Sequence, residues 1–384
     1  MPIRTTIDRF ISTFEKDFAT HNRIEVSKSA LLHNFDLLAG LSGKEVVPVL
    51  KGNAYGHGIE QVATALKDRS FPYIAVDGYF EALRVRKVSQ QPVLVMGAIR
   101  PENFAKLTYD QFAFVVQDKA TIHALGKTGK RVAVHLECNT GMNRYGAAEA
   151  ELSELTDLIL NYPNLRLEGV MSHMADSDGD NAETVENAVR LFDECVETVR
   201  AAGASPTMFH VAQTAGSLKA KSKYATAIRL GVGLYGINPF PLGHSEHLKL
   251  AGLRPALQLI STITKTTNLN MGDQVSYNYT FTAPKAMRIG VLPLGYYEGV
   301  PRTLSNAGIV KLGALYPAII GRVCMNHTMI SLDGTTAKVG DEVIVFSSDV
   351  KSKNSIDTVA SQHGLFNYNL LTALSPDIRR VLVD

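Results

Sequence analysis

The chain has 384 residues, of which 45% are hydrophobic and 20% charged, with a formal charge of +2. That length exceeds one small core and suits a barrel-sized domain joined to a smaller one. The near-neutral balance gives no basis for nucleic acid or an anionic membrane as partner, and the composition is that of a soluble globular protein. The opening segment MPIRTTIDRFISTFEKDF is interrupted by charge throughout. It reads as neither signal peptide nor membrane anchor, so a cytoplasmic protein is expected. Cys138, Cys195 and Cys324 lie far apart and form no CxxC pair. Reduced thiols are therefore expected, without a disulfide framework or structural zinc.

Residues 1–20 read as an amphipathic arm, with Ile7, Phe10, Ile11 and Phe14 at helical spacing. A short strand, Arg23-Ile24-Glu25-Val26, leads to Ser27, a suitable cap for a helix holding Leu31, Leu32 and Phe35. Strand and helix patterns then alternate. Strands are expected at Val46–Leu50, Tyr73–Val76, Pro92–Met96, Phe112–Val116, Arg131–Glu137, Leu167–Met171, Thr207–Val211 and Ala227–Leu230. Eight apolar strands separated by helical patterns point to an α/β fold, a (β/α)8 TIM barrel. No strand is followed by GxGxxG, which argues against a dinucleotide-binding sheet. The helix expected at Ala182–Ala202 carries Val185, Val189, Leu191, Phe192 and Val196 as a barrel-facing stripe.

Beyond about Pro239 short β-like runs dominate: Leu257–Ile263, Met287–Pro293 and Glu342–Phe346, bounded by Gly, Asn, Asp and Pro. The expected organisation is an arm at 1–20, a barrel at 21–240 and a mostly-β C-terminal domain at 241–384.

The stretch Val46-Val47-Pro48-Val49-Leu50-Lys51-Gly52-Asn53-Ala54-Tyr55-Gly56-His57-Gly58 reads as a buried strand breaking at a lysine into a functional loop. An amine at that lip is placed to form a Schiff base. Lys51 to Gly58 resembles the lysine motif of the alanine racemase family, whose members bind pyridoxal 5'-phosphate (PLP) and usually have Ala at the position of Gly52. In a barrel, working residues sit at the C-terminal ends of strands and phosphate sites at the last two loops. Those loops here are His210-Val211-Ala212-Gln213-Thr214-Ala215-Gly216 and Arg229-Leu230-Gly231-Val232-Gly233. The second resembles the family's Arg-x-Gly-x-x-x-Tyr-Gly.

The resemblance implies that Arg229 bonds the pyridine nitrogen and that Tyr55, Thr214, Gly231 and Val232 hold the phosphate. Guanidinium keeps its proton, so such a ring is a weak electron sink and transamination is disfavoured. The run Glu137-Cys138-Asn139-Thr140-Gly141-Met142-Asn143-Arg144 resembles Lys-Val-Asp-Thr-Gly-Met-Gly-Arg, which places Arg144 at the phenolic oxygen and the substrate end. Glu137 and Asn139 depart from the family's lysine and aspartate. Glu137 is expected to supply the negative charge that holds Arg144. His173 matches a histidine that supports the pyridine-binding arginine. No HExxH or similar spacing suggests a metal.

In the C-terminal part, Ser276-Tyr277-Asn278, Gly295-Tyr296-Tyr297-Glu298-Gly299 and Gly321-Arg322-Val323-Cys324-Met325-Asn326 resemble three further family segments. They imply Tyr277 as the second catalytic base opposite Lys51, with Tyr296 and the Met325 amide near the substrate carboxylate. Departures are Asn278 for Gly, and Glu298 and Asn326 for Asp. The resemblance further implies a homodimer whose active sites are shared between chains, interconverting L- and D-alanine and supplying D-alanine for peptidoglycan. A serine or broad-spectrum racemase is the alternative within the class, and a PLP-binding carrier without turnover the alternative outside it.

Overall fold

The computed structural model describes residues 18–109 and 111–384, so the arm expected at residues 1–20 falls almost wholly outside the described residues. The chain divides into two compact units: Val26–Leu257 with Leu382–Asp384, and the residues up to Glu25 with Gln258–Val381.

The first unit opens as its sequence suggests. Ser27 accepts a hydrogen bond from the Ala30 amide (3.1 Å) and caps the helix Lys28–Ser42, which ends at Gly43 in the left-handed region (φ 62°). After β1 (Arg23–Ser27) come eight parallel strands: β2 (Glu45–Pro48), β3 (Ile74–Val76), β4 (Val93–Val95), β5 (Phe112–Val116), β6 (Val132–Glu137), β7 (Leu165–Met171), β8 (Met208–His210) and β9 (Ala227–Leu230). Strands β3 to β8 pair in chain order, and β2 pairs with β9. Val49 bridges Ala75 just beyond β2, and amides of Thr226 and Arg229 donate to the carbonyls of Phe209 and Ala212 (both 2.9 Å). These links close the ring as a (β/α)8 TIM barrel.

All eight expected strands are present: two have their expected ends, β7 begins two residues earlier, and the others are shifted or trimmed. The first is shortened because the chain leaves the ring at Val49 to place Lys51. Val47, Tyr73, Ala75, Leu94, Ala113, Met208 and Ala227 fill the interior, so the barrel is a packed core rather than a pore. The helix Ala182–Ala201 buries Val185, Val189, Phe192 and Val196 as its spacing requires.

The second unit is mostly β. Its strands are β10 (Leu257–Thr262), β11 (Lys265–Leu269), β12 (Gln274–Val275), β13 (Phe281–Thr282), β14 (Met287–Leu292), β15 (Thr328–Ser331), β16 (Glu342–Phe346) and β17 (Arg379–Val383). β1 joins this unit's sheet, in the order β16-β10-β1-β17, rather than the barrel. Its alternating burial, with Ile24 and Val26 fully inside, is that of a strand with one face inward. Val275, Ile289 and Ile320 form a second small core. Among the described residues no helix is long and apolar enough to cross a membrane.

One polar side chain ties the barrel's first helix to the segment after its last strand. Asn34 is fully buried, donates to the carbonyls of Leu234 (3.1 Å) and Arg254 (2.8 Å), and accepts from the Arg254 amide (2.8 Å). Replacing it by leucine strands three backbone groups away from water. Asn34→Leu should therefore cost about 2–4 kcal/mol in urea unfolding; a loss below about 0.5 kcal/mol would show that the groups find other partners.

Candidate active site

The C-terminal ends of the barrel strands surround a pocket of about 230 Å³ lined by Lys51, Tyr55, Asp77, Glu137, Arg144, His173, Arg229 and Gly231, among others. Seven of these were singled out from sequence. Asp77 was not, although its place at a barrel strand's C-terminal lip is the signal that marks it.

Lys51 begins a short turn of unusual hand. Gly52, Asn53, Ala54 and Tyr55 all have positive φ (62°, 55°, 54° and 51°), a left-handed turn that three non-glycine residues adopt only at a cost. Neighbours hold it. The Asn53 side-chain oxygen accepts from the Ile59 amide (3.1 Å) and from Arg84 (2.8 Å), which also binds Glu60 (2.6 Å). Beneath the turn the Tyr55 and Tyr235 rings lie 5.1 Å apart, and Tyr235 donates to the Val49 carbonyl (2.8 Å). Burial holds the Lys51 ammonium below the ordinary lysine range; Asp77 opposes this, while Arg144 and Arg229 add to it. Burial also pushes the Tyr55 phenol up to about 12.

Arg229 is buried, and its hydrogen bonds go to carbonyls and imidazoles. It donates to the carbonyls of His210 (2.6 Å), Ser172 (2.5 Å) and Val211 (3.3 Å), and to Nδ1 of His210 (2.8 Å) and His173 (3.1 Å). Burial lowers its affinity for a proton to about 10, against the pull of Glu137. Burial and the arginine charge bring His173 down to about 3, and push His210 well below the usual range. Both imidazoles are therefore neutral acceptors. Because Arg229 only donates, His210 carries its proton on Nε2 and donates a hydrogen bond from there to Nδ1 of His135 (2.8 Å). Gly169 is required here: a Cβ would stand 2.3 Å from that His135 nitrogen.

Thr214 lies just outside the pocket. Its hydroxyl accepts from the Gly233 amide (3.2 Å), and a Cβ at Gly233 would stand 2.5 Å from the Thr214 methyl. Gly231 faces the Tyr55 hydroxyl, at 3.1 Å from where its Cβ would be. Val232 is buried behind it.

The expected clamp between Glu137 and Arg144 is not formed: no hydrogen bond or ion pair joins them among the described residues, and the exposed Arg144 acts on Glu137 only through its charge. The reason is local. Asn139 accepts from the amides of Gly141 (3.0 Å) and Asn143 (3.1 Å) and donates to the Asn143 side chain (2.9 Å), which turns the loop on itself. Glu137 is left buried in the pocket wall, where burial raises its pKa despite Arg229 and Arg144.

In the β-rich unit the three remaining runs pack together. Ser276, beside Tyr277, donates to the Arg322 carbonyl (2.8 Å), and the amides of Tyr296 and Tyr297 donate to the carbonyls of Cys324 and Met325 (both 3.0 Å). Tyr277, Tyr296 and Met325 are exposed there, Tyr277 to 68%. Asn326 donates to Glu298 (2.7 Å), whose other oxygen accepts from the Gly295 amide (2.7 Å). Two departures from the family pattern are thus each other's partners.

A buried cation, a lysine whose proton affinity burial lowers, and a close-approach glycine beside a phenol fit a planar, phosphorylated pyridine aldehyde. Fold and site together define the class, a barrel enzyme of pyridoxal 5'-phosphate. Residues 26–239 match the model of the alanine racemase N-terminal domain, and residues 256–382 that of the alanine racemase C-terminal domain. The alanine racemase of Staphylococcus epidermidis is 32% identical over 369 residues, covering 93% of this chain and 94% of its own. That of Staphylococcus carnosus is 31% identical over 367 residues, with the same shares. Among solved structures, alanine racemase from Bacillus anthracis with bound L-Ala-P has a TM-score of 0.87 at 27% identity, covering 96% of each chain. Histidine racemase from Leuconostoc mesenteroides reaches 0.84 at 24% identity, over 95% of this chain and 98% of its own, which shows a shared fold. The chain belongs to the alanine racemase family, and it is an amino-acid racemase, an isomerase.

The neutral histidines give the barrel a pH signature. Unfolded, each takes up a proton near pH 6.5, whereas His135 and His173 resist until about 3 when folded. Below about pH 6.5 the unfolded state binds more protons, so stability falls with acidification and is flat above. Urea midpoints of the apoprotein should drop steadily from pH 7 to pH 5; equal midpoints would mean that these imidazoles are already charged in the fold.

Proposed function

We propose that this chain interconverts L-alanine and D-alanine by a two-base mechanism, with Lys51 and Tyr277 as the bases, and supplies D-alanine for peptidoglycan in the cytoplasm. The observation that carries it is the Lys51 amine, held below the ordinary lysine range at the mouth of a pocket walled by two arginines. Bound pyridoxal 5'-phosphate supplies an aldehyde that ties up the substrate amine and a conjugated ring that draws electron density from Cα.

The chain's own groups do the rest. Arg229 offers the ring nitrogen a hydrogen bond without giving up its proton, because guanidinium stays charged even at the lowered value burial gives it. Tyr55, Thr214 and the backbone of Gly231 and Val232 are the phosphate cradle in this reading, and His173 supports Arg229 from Nδ1. Arg144, Tyr296 and the Met325 amide receive the substrate's carboxylate end.

Inverting a carbon requires a proton removed from one face and returned to the other. Lys51 takes the α-proton of the D-substrate, and Tyr277 that of the L-substrate. We assign Tyr277 to the site of a partner chain, in a homodimer that places one chain's phenol against the other's lysine. The exposure of Tyr277, Tyr296 and Met325 together on one unit supports that reading. One of the fold neighbours is a histidine racemase, named for an amino acid with a different side chain. The fold alone does not choose the substrate.

Assaying D-product from a panel of L-amino acids should show alanine preferred over serine and all larger substrates. Lys51→Ala and Tyr277→Phe should each lower turnover at least ~100-fold. If sites are shared, mixing the two inactive variants through a dissociation and reassociation step should restore roughly a quarter of wild-type activity. Absence of recovery in verified heterodimers would overturn the shared site, and a preference for serine or a larger side chain would overturn the substrate.

A further inference from the structure

We propose that Glu81 is a positioning residue for the Lys51 amine, its single carboxylate locking the Lys51 turn and the Asp77 loop into one register. The proposal rests on reading Lys51 as the cofactor lysine. Glu81 stands in the first turn of the helix Tyr79–Arg86. Its Oε2 accepts from the amides of Asp77 (3.0 Å) and Gly78 (3.3 Å). By itself that is ordinary helix capping.

The other oxygen does what capping does not require. Oε1 accepts from the amides of Gly52 (2.7 Å) and Asn53 (3.3 Å), the first two residues of the left-handed turn after Lys51. Loops following adjacent barrel strands ordinarily settle independently. Here each oxygen serves one loop, through charge-assisted bonds. A left-handed turn through Asn53, Ala54 and Tyr55 persists only when its surroundings over-determine it, and Glu81 restrains the end of it that touches Lys51.

The second loop matters because of what it carries. Asp77 lines the pocket with Lys51, and its carbonyl is pinned by the Gly97 amide (2.8 Å), so closely that a Cβ at Gly97 would stand 2.6 Å from it. Around the Lys51 amine the negative groups are Asp77 and Glu81, the positive ones Arg144 and Arg229, and His173 is neutral. If the two loops slipped, Asp77 would move relative to the amine, which would then face mainly cations. Glu81 thus sets both where the amine points and how basic it is.

The test uses full-length wild-type, Glu81→Gln and Glu81→Asp proteins. Borohydride reduction of the wild-type holoenzyme, followed by peptide mapping, first decides whether Lys51 holds the cofactor; a label elsewhere would overturn that reading and, with it, the role given to Glu81. Competitive acetylation of the apoproteins across pH then gives the Lys51 titration, and a separate titration gives pyridoxal 5'-phosphate affinity.

Glu81→Gln should lower the Lys51 titration midpoint by about half a unit and weaken cofactor binding about tenfold. Glu81→Asp keeps the charge but is too short to reach both loops, and should weaken binding comparably. Variants with reduced thermal stability but wild-type titration and affinity would reduce Glu81 to a fold support. Full affinity in Glu81→Asp would show that its charge acts, and not its bridging.

Discussion

The site depends on a guanidinium buried without a contacting carboxylate. Arg229 satisfies its donors on three carbonyls and two imidazole nitrogens, all on the ends of the adjoining strands or the residues just past them. A charge so placed is costly, and it persists because its donors meet lone pairs of three backbone carbonyls and two buried imidazoles. Its field has consequences on every side. Burial keeps His173 and His210 neutral and the Arg229 field reinforces it; that field also helps hold the Lys51 amine below its ordinary range and leaves the pocket attractive to an anionic ligand. Neutrality in turn fixes the tautomers, since an imidazole that accepts from Arg229 at Nδ1 must carry its proton at Nε2. The chain Arg229, His210, His135 is thereby a one-way line of donors running into the barrel core.

Where the sequence departs from its relatives, the structure mostly shows paired changes. Asn326 and Glu298 bond each other, whereas an aspartate at 326 would bring two carboxylates together. Asn139 and Asn143 likewise close one loop between them, with Asn143 in the left-handed region (φ 53°) that asparagine tolerates better than most residues. These pairs conserve hydrogen bonding while changing charge.

The barrel and the lysine lip were legible because both are local signals. Apolar runs of strand length mark themselves, and a lysine at the end of one, before Gly52-Asn53, interrupts the pattern where a barrel presents its chemistry. Ser27 was legible as a cap for the same reason. What was not legible is non-local pairing. β1 looks like part of the barrel in sequence, yet its partners are β10 and β17, more than two hundred residues away. Glu81 reads as an acid early in a helix, and only the closeness of two strand ends turns it into a bridge. The clamp expected between Glu137 and Arg144 failed for a related reason: the loop between them folds on its own asparagines, and that geometry does not follow from residue types.

Glu137 is then the departure without a compensating partner, and its position says what it does to the pocket. It lies on β6 in the wall shared with Lys51, Arg144 and Arg229, and two cations act on it without touching it. Burial outweighs them, so the proton is held more tightly than on a free carboxylate. Arg144 is exposed and forms no ion pair with Glu137 among the described residues, and the carboxylate that acts most on the Lys51 amine is Asp77.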